Sequence, residues 1–304
     1  MTLSSQQSHR HTDTESFAQV VKQVLAPYRS RFEAAFDQIV PSLGDEVEIR
    51  RAMAYAVQSG GKRFRPALVW MVAEALHSTV SVDRAALSVE FFHVSSLIID
   101  DLPCMDNDDY RRGVATTHKA FAEHIAILAS FALTAAGFEL ICGVPTKNNS
   151  EALPIAFHEA SRAVGLHGLI GGQQLDLAPS DDSGDAILRL IDLKTGVLFR
   201  LCFVLGWLFG GGDRSRLDEV RQLATFFGRA FQIMDDIDDI DQDRQAGKRG
   251  NFALVFGLQY ALDEVRSYID RFCVLAQTLG LGHSALVPLM KAMRRVVEPD
   301  PSHS

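Results

Sequence analysis

The chain has 304 residues, 47% of them hydrophobic, which is enough to bury a large core. With 30 Lys and Arg against 38 Asp and Glu, the formal net charge of -8 argues against a nucleic-acid surface, while leaving room for local basic patches. The four cysteines, Cys104, Cys142, Cys202 and Cys273, have neither metal-ligand nor disulfide-like spacing; this suits a reducing compartment, and a cytoplasmic location is the expectation.

In chain order, MTLSSQQSHRHTDTE is polar and lacks the apolar core of a secretory signal, so residues 1–15 are expected to form a loose tail. FAQVVKQVLAPYRSRFEAAF then repeats apolar residues at three- and four-residue spacing, as an amphipathic helix requires. The same period predicts helices over 47–58, 65–77, 82–99, 119–142, 151–165, 184–209, 214–240, 258–279 and 283–297. Turn chemistry separates them at Pro41 to Gly44, Gly60-Gly61, Cys142 to Ser150, Ala178 to Gly184 and Gly210 to Gly212. Connections this short join antiparallel neighbours, so the pattern predicts one all-α bundle over 16–297, followed by a second tail, EPDPSHS, over 298–304. No apolar stretch reaches membrane-spanning length; the longest, VLFRLCFVLGWLF, is interrupted by Arg200 and reads as a buried helix.

Two stretches break the bundle pattern with acid. LIIDDLPCMDNDDYRRG, at 97–113, ends an apolar helix in Asp100 and Asp101, and Pro103 should disrupt the turn so that Asp106 folds back toward them. FQIMDDIDDIDQD, at 231–243, ends another; Asp235 and Asp239 are four apart and share a face, with Asp236 beside them. Acids at a helix C-terminus oppose the macrodipole and usually belong to a solvated surface. Repeating that cost twice points instead to hard cations held by oxygen, and to Mg2+ before Ca2+, because no dense oxygen cage is spelled out. Neither sulfur nor a paired-histidine motif suggests zinc. Phosphate is the natural partner of such ions, and cations for it stand in GGKRFRP (Lys62, Arg63, Arg65), in Arg111-Arg112 and in LIDLKTGVLFRL (Lys194, Arg200). The plainer alternatives are a basic turn for the first and screening of adjacent acids for the second.

GGKRFRP, EFFHVSSLIIDDLPCMDNDDYRRG, GLIGGQQLDL, LKTG and FQIMDDIDD, in this order, resemble the motifs of the trans-isoprenyl diphosphate synthases. The resemblance spans residues 60 to 239 and implies an all-α bundle of the isoprenoid synthase type around a central apolar cavity. It implies that Asp100, Asp101, Asp106, Asp235, Asp236 and Asp239 hold Mg2+ on an allylic diphosphate (dimethylallyl, geranyl or farnesyl). Lys62, Arg65, His93 and Arg112 match residues that bind isopentenyl diphosphate; Arg111, Lys194, Thr195 and Gln232 match residues around the allylic diphosphate. Lys194 and Arg111 are the implied catalytic cations, and a homodimer is the implied assembly. For His93, a core histidine is the reading without the resemblance.

The sequence departs from the family in three places. Ser130-Phe131 stands where a Gly-Asp pair is frequent, and Ile99 where histidine is. The loop DIDQDRQAGKRGNFALVFG is short, leaving Lys248 or Arg249 to supply a loop lysine's role. Five residues before Asp100, or roughly 7–8 Å along the helix, stands the small Ser95, which as a cavity floor leaves room for geranylgeranyl diphosphate. With Phe91, Phe92 or Phe131 as the floor instead, the product would be farnesyl diphosphate. The rival readings are a terpene cyclase, which needs no isopentenyl site; a non-catalytic partner subunit, which commonly lacks one Asp-rich motif; and a helical scaffold with solvated acids.

Overall fold

The computed structural model describes residues 3–145, 151–177, 183–247 and 250–297, which places Lys248, Arg249 and the tail 298–304 outside the described residues. It is all-α, as the period predicts. In chain order the helices are α1 (Leu3–Ile39), α2 (Glu48–Gln58), α3 (Phe64–Ala75) and α4 (Asp83–Asp100); α5 (Thr117–Ala120), α6 (Glu123–Cys142), α7 (Ala152–Val164) and α8 (Leu169–Leu177) follow. Then come α9 (Gly184–Ile191), α10 (Val197–Gly210), α11 (Leu217–Asp238), α12 (Ile240–Ala246), α13 (Phe252–Phe256), α14 (Leu258–Thr278) and α15 (Leu286–Val297). A two-stranded hairpin, β1 (Tyr110–Arg111) and β2 (Val114–Ala115), lies between α4 and α5. Helical backbone begins at Leu3, within the stretch that the polar composition marked as a tail.

The core sits where α10 packs against α3, α4, α7 and α11. Phe64 of α3, Phe199 and Phe203 of α10, Phe227 and Phe231 of α11, and Phe272 of α14 form one aromatic cluster with ring centroids 5.1 to 6.4 Å apart. Truncating a buried phenylalanine of this kind to alanine costs about 3–5 kcal/mol. Gly206 lets α10 approach α3: a Cβ there would meet the Val69 carbonyl oxygen at 2.7 Å.

Among the described residues two helices, contrary to the expectation from sequence, are long and apolar enough to cross a membrane by length and composition alone. Packing gives one of them another explanation. The window within Gly184–Gly210 is 72% buried, and every residue of α10 except Arg200 is buried, as a core helix requires. Glu123–Cys142 is half buried, and its outer face keeps Ile127, Leu128 and Phe131 exposed.

The short elements were invisible to periodicity for local reasons. The two glycines of α8 and the few turns of α12 and α13 give no sustained period, and strands of two residues give no alternation. The predicted helix over 184–209 exists, but Asp192–Gly196 forms a π-helical turn at the junction of α9 and α10. Such turns gather at functional sites.

Candidate active site

Four segments come within electrostatic reach of one another: the 60–63 loop ahead of α3, the C-terminal end of α4 with its hairpin, the π turn, and the C-terminal end of α11. Electrostatic contacts close the circle. Asp100 feels Lys194 and Arg111, Asp235 feels Lys62, and Arg65 feels both Asp235 and Arg112.

The chain after Pro103 folds back as its residues predict, and the backbone N–H of Asp106 donates to the Asp100 carbonyl at 2.9 Å. The hairpin then turns through Arg112 (φ 55°) and Gly113 (φ 82°), the left-handed pair that a two-residue hairpin turn needs. This returns Arg111 over the acids, where its Nε donates to Asp101 Oδ1 at 2.6 Å and its Nη2 reaches Asp108 at 3.3 Å. Arg112 crosses to the other loop, and its Nη1 donates to the Gly60 carbonyl at 2.5 Å. Gly61, at φ 122°, is the seat: a Cβ there would lie 2.6 Å from Arg112 Nη1. Beneath the hairpin, a small recess has Asp101, Arg111 and Arg112 in its wall.

In each Asp-Asp pair the two aspartates do different work. Asp101 is 4% exposed and held by Arg111; Asp236 is 7% exposed, with Oδ1 accepting from Gln232 Nε2 at 3.0 Å and Oδ2 from the Phe252 backbone N–H at 2.8 Å. Asp100, Asp106, Asp235 and Asp239 receive no side-chain hydrogen bond from the described residues. All six were expected as metal ligands, and of these the structure leaves two carboxylates on each side without a side-chain hydrogen bond among the described residues. Burial pushes Asp100 up to about 6, with Asp106 adding to the shift and Lys194 opposing it. The crowded cleft likewise pushes Asp235 up to about 7, mainly through burial, although its carboxylate still reaches solvent. These are acids short of a cation. Among the described residues, no three Asp, Glu, His or Cys side chains form a closed metal site, so an ion here needs further oxygens, such as those of a diphosphate. The donor set fits Mg2+ on those terms.

The opposite wall is basic. Burial and the surrounding Arg65, Arg112, Arg111 and Arg63 hold His93 well below the usual imidazole range. Arg65 Nη1 lies 3.3 Å from His93 Nε2, and because arginine only donates, that nitrogen accepts and the neutral ring carries its proton on Nδ1. Arg65 Nε is buried without a partner, an orphaned donor that an anion would satisfy. Arg63 is different from the phosphate-facing cation its motif suggested. It caps α3 in the left-handed region and is buried against Glu90, at 3.0 Å, and the Phe32 ring.

Around the π turn, Lys194 is paired with Asp176 of α8, and Thr195 Oγ1 donates to Gln232 Oε1 at 2.8 Å. Arg229 grips Asp192 through two bonds of 3.0 and 2.7 Å and fixes the turn. Sequence reasoning named GLIGGQQLDL as a motif but gave no role to Asp176, nor to Gln173, whose buried Nε2 has no partner.

Ser95 is not a floor facing the metal side. Its Oγ points at α6 and bonds Ser130 O at 3.0 Å, Ser130 Oγ at 2.9 Å and Thr134 Oγ1 at 2.8 Å. One turn before Asp100, and on its face, stands half-buried Ser96; the next turn carries Phe92, which packs edge-on to Phe138 at 5.1 Å. Phe91 instead meets Phe36 of α1, and Phe131 is 67% exposed.

Residues 46–251 match the family model described as polyprenyl synthetase. The chain is 36% identical over 279 residues to geranylgeranyl pyrophosphate synthase 6, mitochondrial, of Arabidopsis thaliana, covering 86% of this chain and 83% of that protein. Among solved structures it resembles a geranyltransferase from Legionella pneumophila, with TM-score 0.79, 30% identity, and 91% and 97% of the two chains covered. An FPP/GFPP synthase from Zymomonas mobilis aligns with TM-score 0.71 and 29% identity over 95% and 98% of the two chains. The open acid pairs, the basic wall facing them and these likenesses agree: the chain belongs to the polyprenyl synthetase family and is a prenyltransferase of isoprenoid biosynthesis.

Proposed function

We propose that the enzyme condenses isopentenyl diphosphate with an allylic diphosphate, using Mg2+, and releases mainly geranylgeranyl diphosphate. The observation that carries this reading is the pair of donor-free carboxylates at each of two helix ends, opposite a wall of arginines. Asp100, Asp106, Asp235 and Asp239 would hold Mg2+ on the allylic diphosphate, with Asp101 and Asp236 behind them. The chemistry that bound metal supplies is neutralisation of the diphosphate charge that grows as the allylic carbon–oxygen bond breaks.

The side chains supply the rest. Lys194, paired with Asp176 and within electrostatic range of Asp100, can turn to the departing diphosphate; Arg111 faces the same charge from the hairpin. Thr195 and Gln232 support that wall through their mutual hydrogen bond. Lys62, Arg65, His93 and Arg112 hold isopentenyl diphosphate, with neutral His93 accepting from Arg65 and keeping its guanidinium oriented. The double bond of that substrate attacks the allylic cation, and a proton then leaves to the released diphosphate. Apolar walls keep out water that would quench the cation.

Two features favour the longer product. Ser96 is small, and Phe92 closes the same face a turn deeper, roughly 12 Å below Asp100 along the helix. Several relatives, including two more from Arabidopsis thaliana, are likewise named geranylgeranyl pyrophosphate synthases. The exposed Ile127, Leu128 and Phe131 of α6 favour a homodimer, since a second copy would cover this apolar face. The test is to supply farnesyl and isopentenyl diphosphates with Mg2+ and read the products by mass spectrometry. A C20 diphosphate is expected. Farnesyl diphosphate recovered unextended, with dimethylallyl diphosphate carried only to C15, would replace this reading with a farnesyl diphosphate synthase.

A further inference from the structure

α11 ends among acids. Asp235, Asp236, Asp238, Asp239 and Asp243 crowd its last turn and the start of α12, where the helix also leaves carbonyl oxygens without intrahelical donors. A lysine or arginine could satisfy those acceptors, but its charge would occupy the field that a divalent ion must find. The structure uses an amide instead. Asn251 is 2% exposed, and its Nδ2 donates to the Asp236 carbonyl at 2.7 Å and to Asp243 Oδ2 at 2.9 Å. Its Oδ1 accepts from the Leu254 backbone N–H at 3.0 Å and so caps α13. The following residue, Phe252, gives its N–H to Asp236 Oδ2 at 2.8 Å.

One uncharged side chain therefore uses both donors and its acceptor to join the ends of three helices. The chain of bonds continues inward. Asp236 Oδ1 accepts from Gln232, and Gln232 accepts from Thr195 of the π turn beside Lys194. Through Asp236, Asn251 sets the position of the open acids Asp235 and Asp239 relative to Lys194. We propose that Asn251 is a positioning residue for the allylic-diphosphate half of the site: it locks Asp236 as a buried strut, and thereby fixes the spacing of Asp235 and Asp239 without adding charge. Asn251 lies outside the five family-like motifs, in the short loop that follows the second acid run. This inference rests on the reading of Asp235 and Asp239 as the acids that receive metal and diphosphate.

The experiment is calorimetric titration of inorganic pyrophosphate in the presence of Mg2+, set beside titration of isopentenyl diphosphate without metal. Asn251→Ala should weaken Mg2+-dependent pyrophosphate binding at least tenfold, while isopentenyl diphosphate, held on the opposite wall, changes less than twofold. Asn251→Ser, which keeps one donor, should fall between wild type and Asn251→Ala, and it carries the test if the alanine variant does not fold. A variant that unfolds at lower temperature but binds pyrophosphate as wild type does would reduce Asn251 to a simple helix cap and overturn the proposal. Failure of the wild-type protein to bind pyrophosphate with Mg2+ would instead overturn the functional reading itself.

Discussion

Replacing Asp100 by asparagine should make the metal-free protein more stable at pH 8 while disabling it. The carboxyl of Asp100 is raised from 3.8 to about 6 by burial, with Asp106 adding to the shift and Lys194 opposing it, a difference worth at most about 3 kcal/mol. The sign follows from proton linkage. Below about pH 3.8 the group is protonated in both states and costs nothing. Between about 3.8 and about 6 the unfolded chain ionises first, so stability falls as pH rises; above about 6 the penalty is complete. A neutral amide carries no such penalty, so Asp100→Asn should gain about 1–3 kcal/mol at pH 8, or several degrees in melting temperature for a chain of this size. At pH 4 the gain should nearly vanish. Melting curves in EDTA at both pH values measure this directly, and adding Mg2+ with pyrophosphate should stabilise the wild type more than the variant. If Asp100→Asn melts at or below the wild-type temperature at pH 8 in EDTA, the claim that the buried acids store unfavourable charge without metal is refuted.

Gly61→Ala places a Cβ 2.6 Å from Arg112 Nη1 at a φ of 122°; we expect the KM for isopentenyl diphosphate to rise about tenfold and that for the allylic substrate to hold, since strain at such a φ alone costs about 1–3 kcal/mol. Ser96→Phe should shorten the product to C15 and Phe92→Ala should lengthen it, as product chromatography would show; Ser95→Phe should mainly lower stability, because it breaks the hydroxyl cluster with Ser130 and Thr134. Asp235→Asn should raise the Mg2+ concentration needed for half-maximal rate at least tenfold, and Asp236→Asn should weaken Mg2+-dependent pyrophosphate binding as Asn251→Ala does, because an amide cannot accept from both Gln232 and the Phe252 N–H. Phe131→Glu should convert the proposed homodimer to a monomer in sedimentation analysis without loss of helix content, since the ring is 67% exposed in the single chain.

Much of the site was legible in order and chemistry. The acid runs, the GGKRFRP cations and the LKTG segment each announce themselves within a few residues, and helical period supplies the rods that carry them. The reading erred where a residue's meaning depends on what lies across from it. Arg63 looks like Arg65 in the sequence, yet Arg63 is buried against Glu90 while Arg65 lies beside His93. Ser95 and Ser96 are neighbours, but the helix turns about 100° between them, sending one to α6 and leaving the other on the face of Asp100. Ser130-Phe131, odd as a departure from the family, divides the same way: Ser130 bonds Ser95 inside, and Phe131 makes the outer face apolar.

What this sequence determined by itself is therefore local. Apolar spacing sets each long helix, and the acids that end two of them follow directly, because helical geometry and side-chain charge need only near neighbours. Which aspartate of each pair stays open, which lysine partner waits on α8, and why Asn251 must be an amide were decided only when distant segments met. Hydrogen-bond donors come to Asp101 from ten residues away and to Asp236 from four and sixteen, and the counter-ion of Lys194 from eighteen. A buried carboxylate is shaped by those partners, and which of them reach it is set by the fold rather than by their order along the chain.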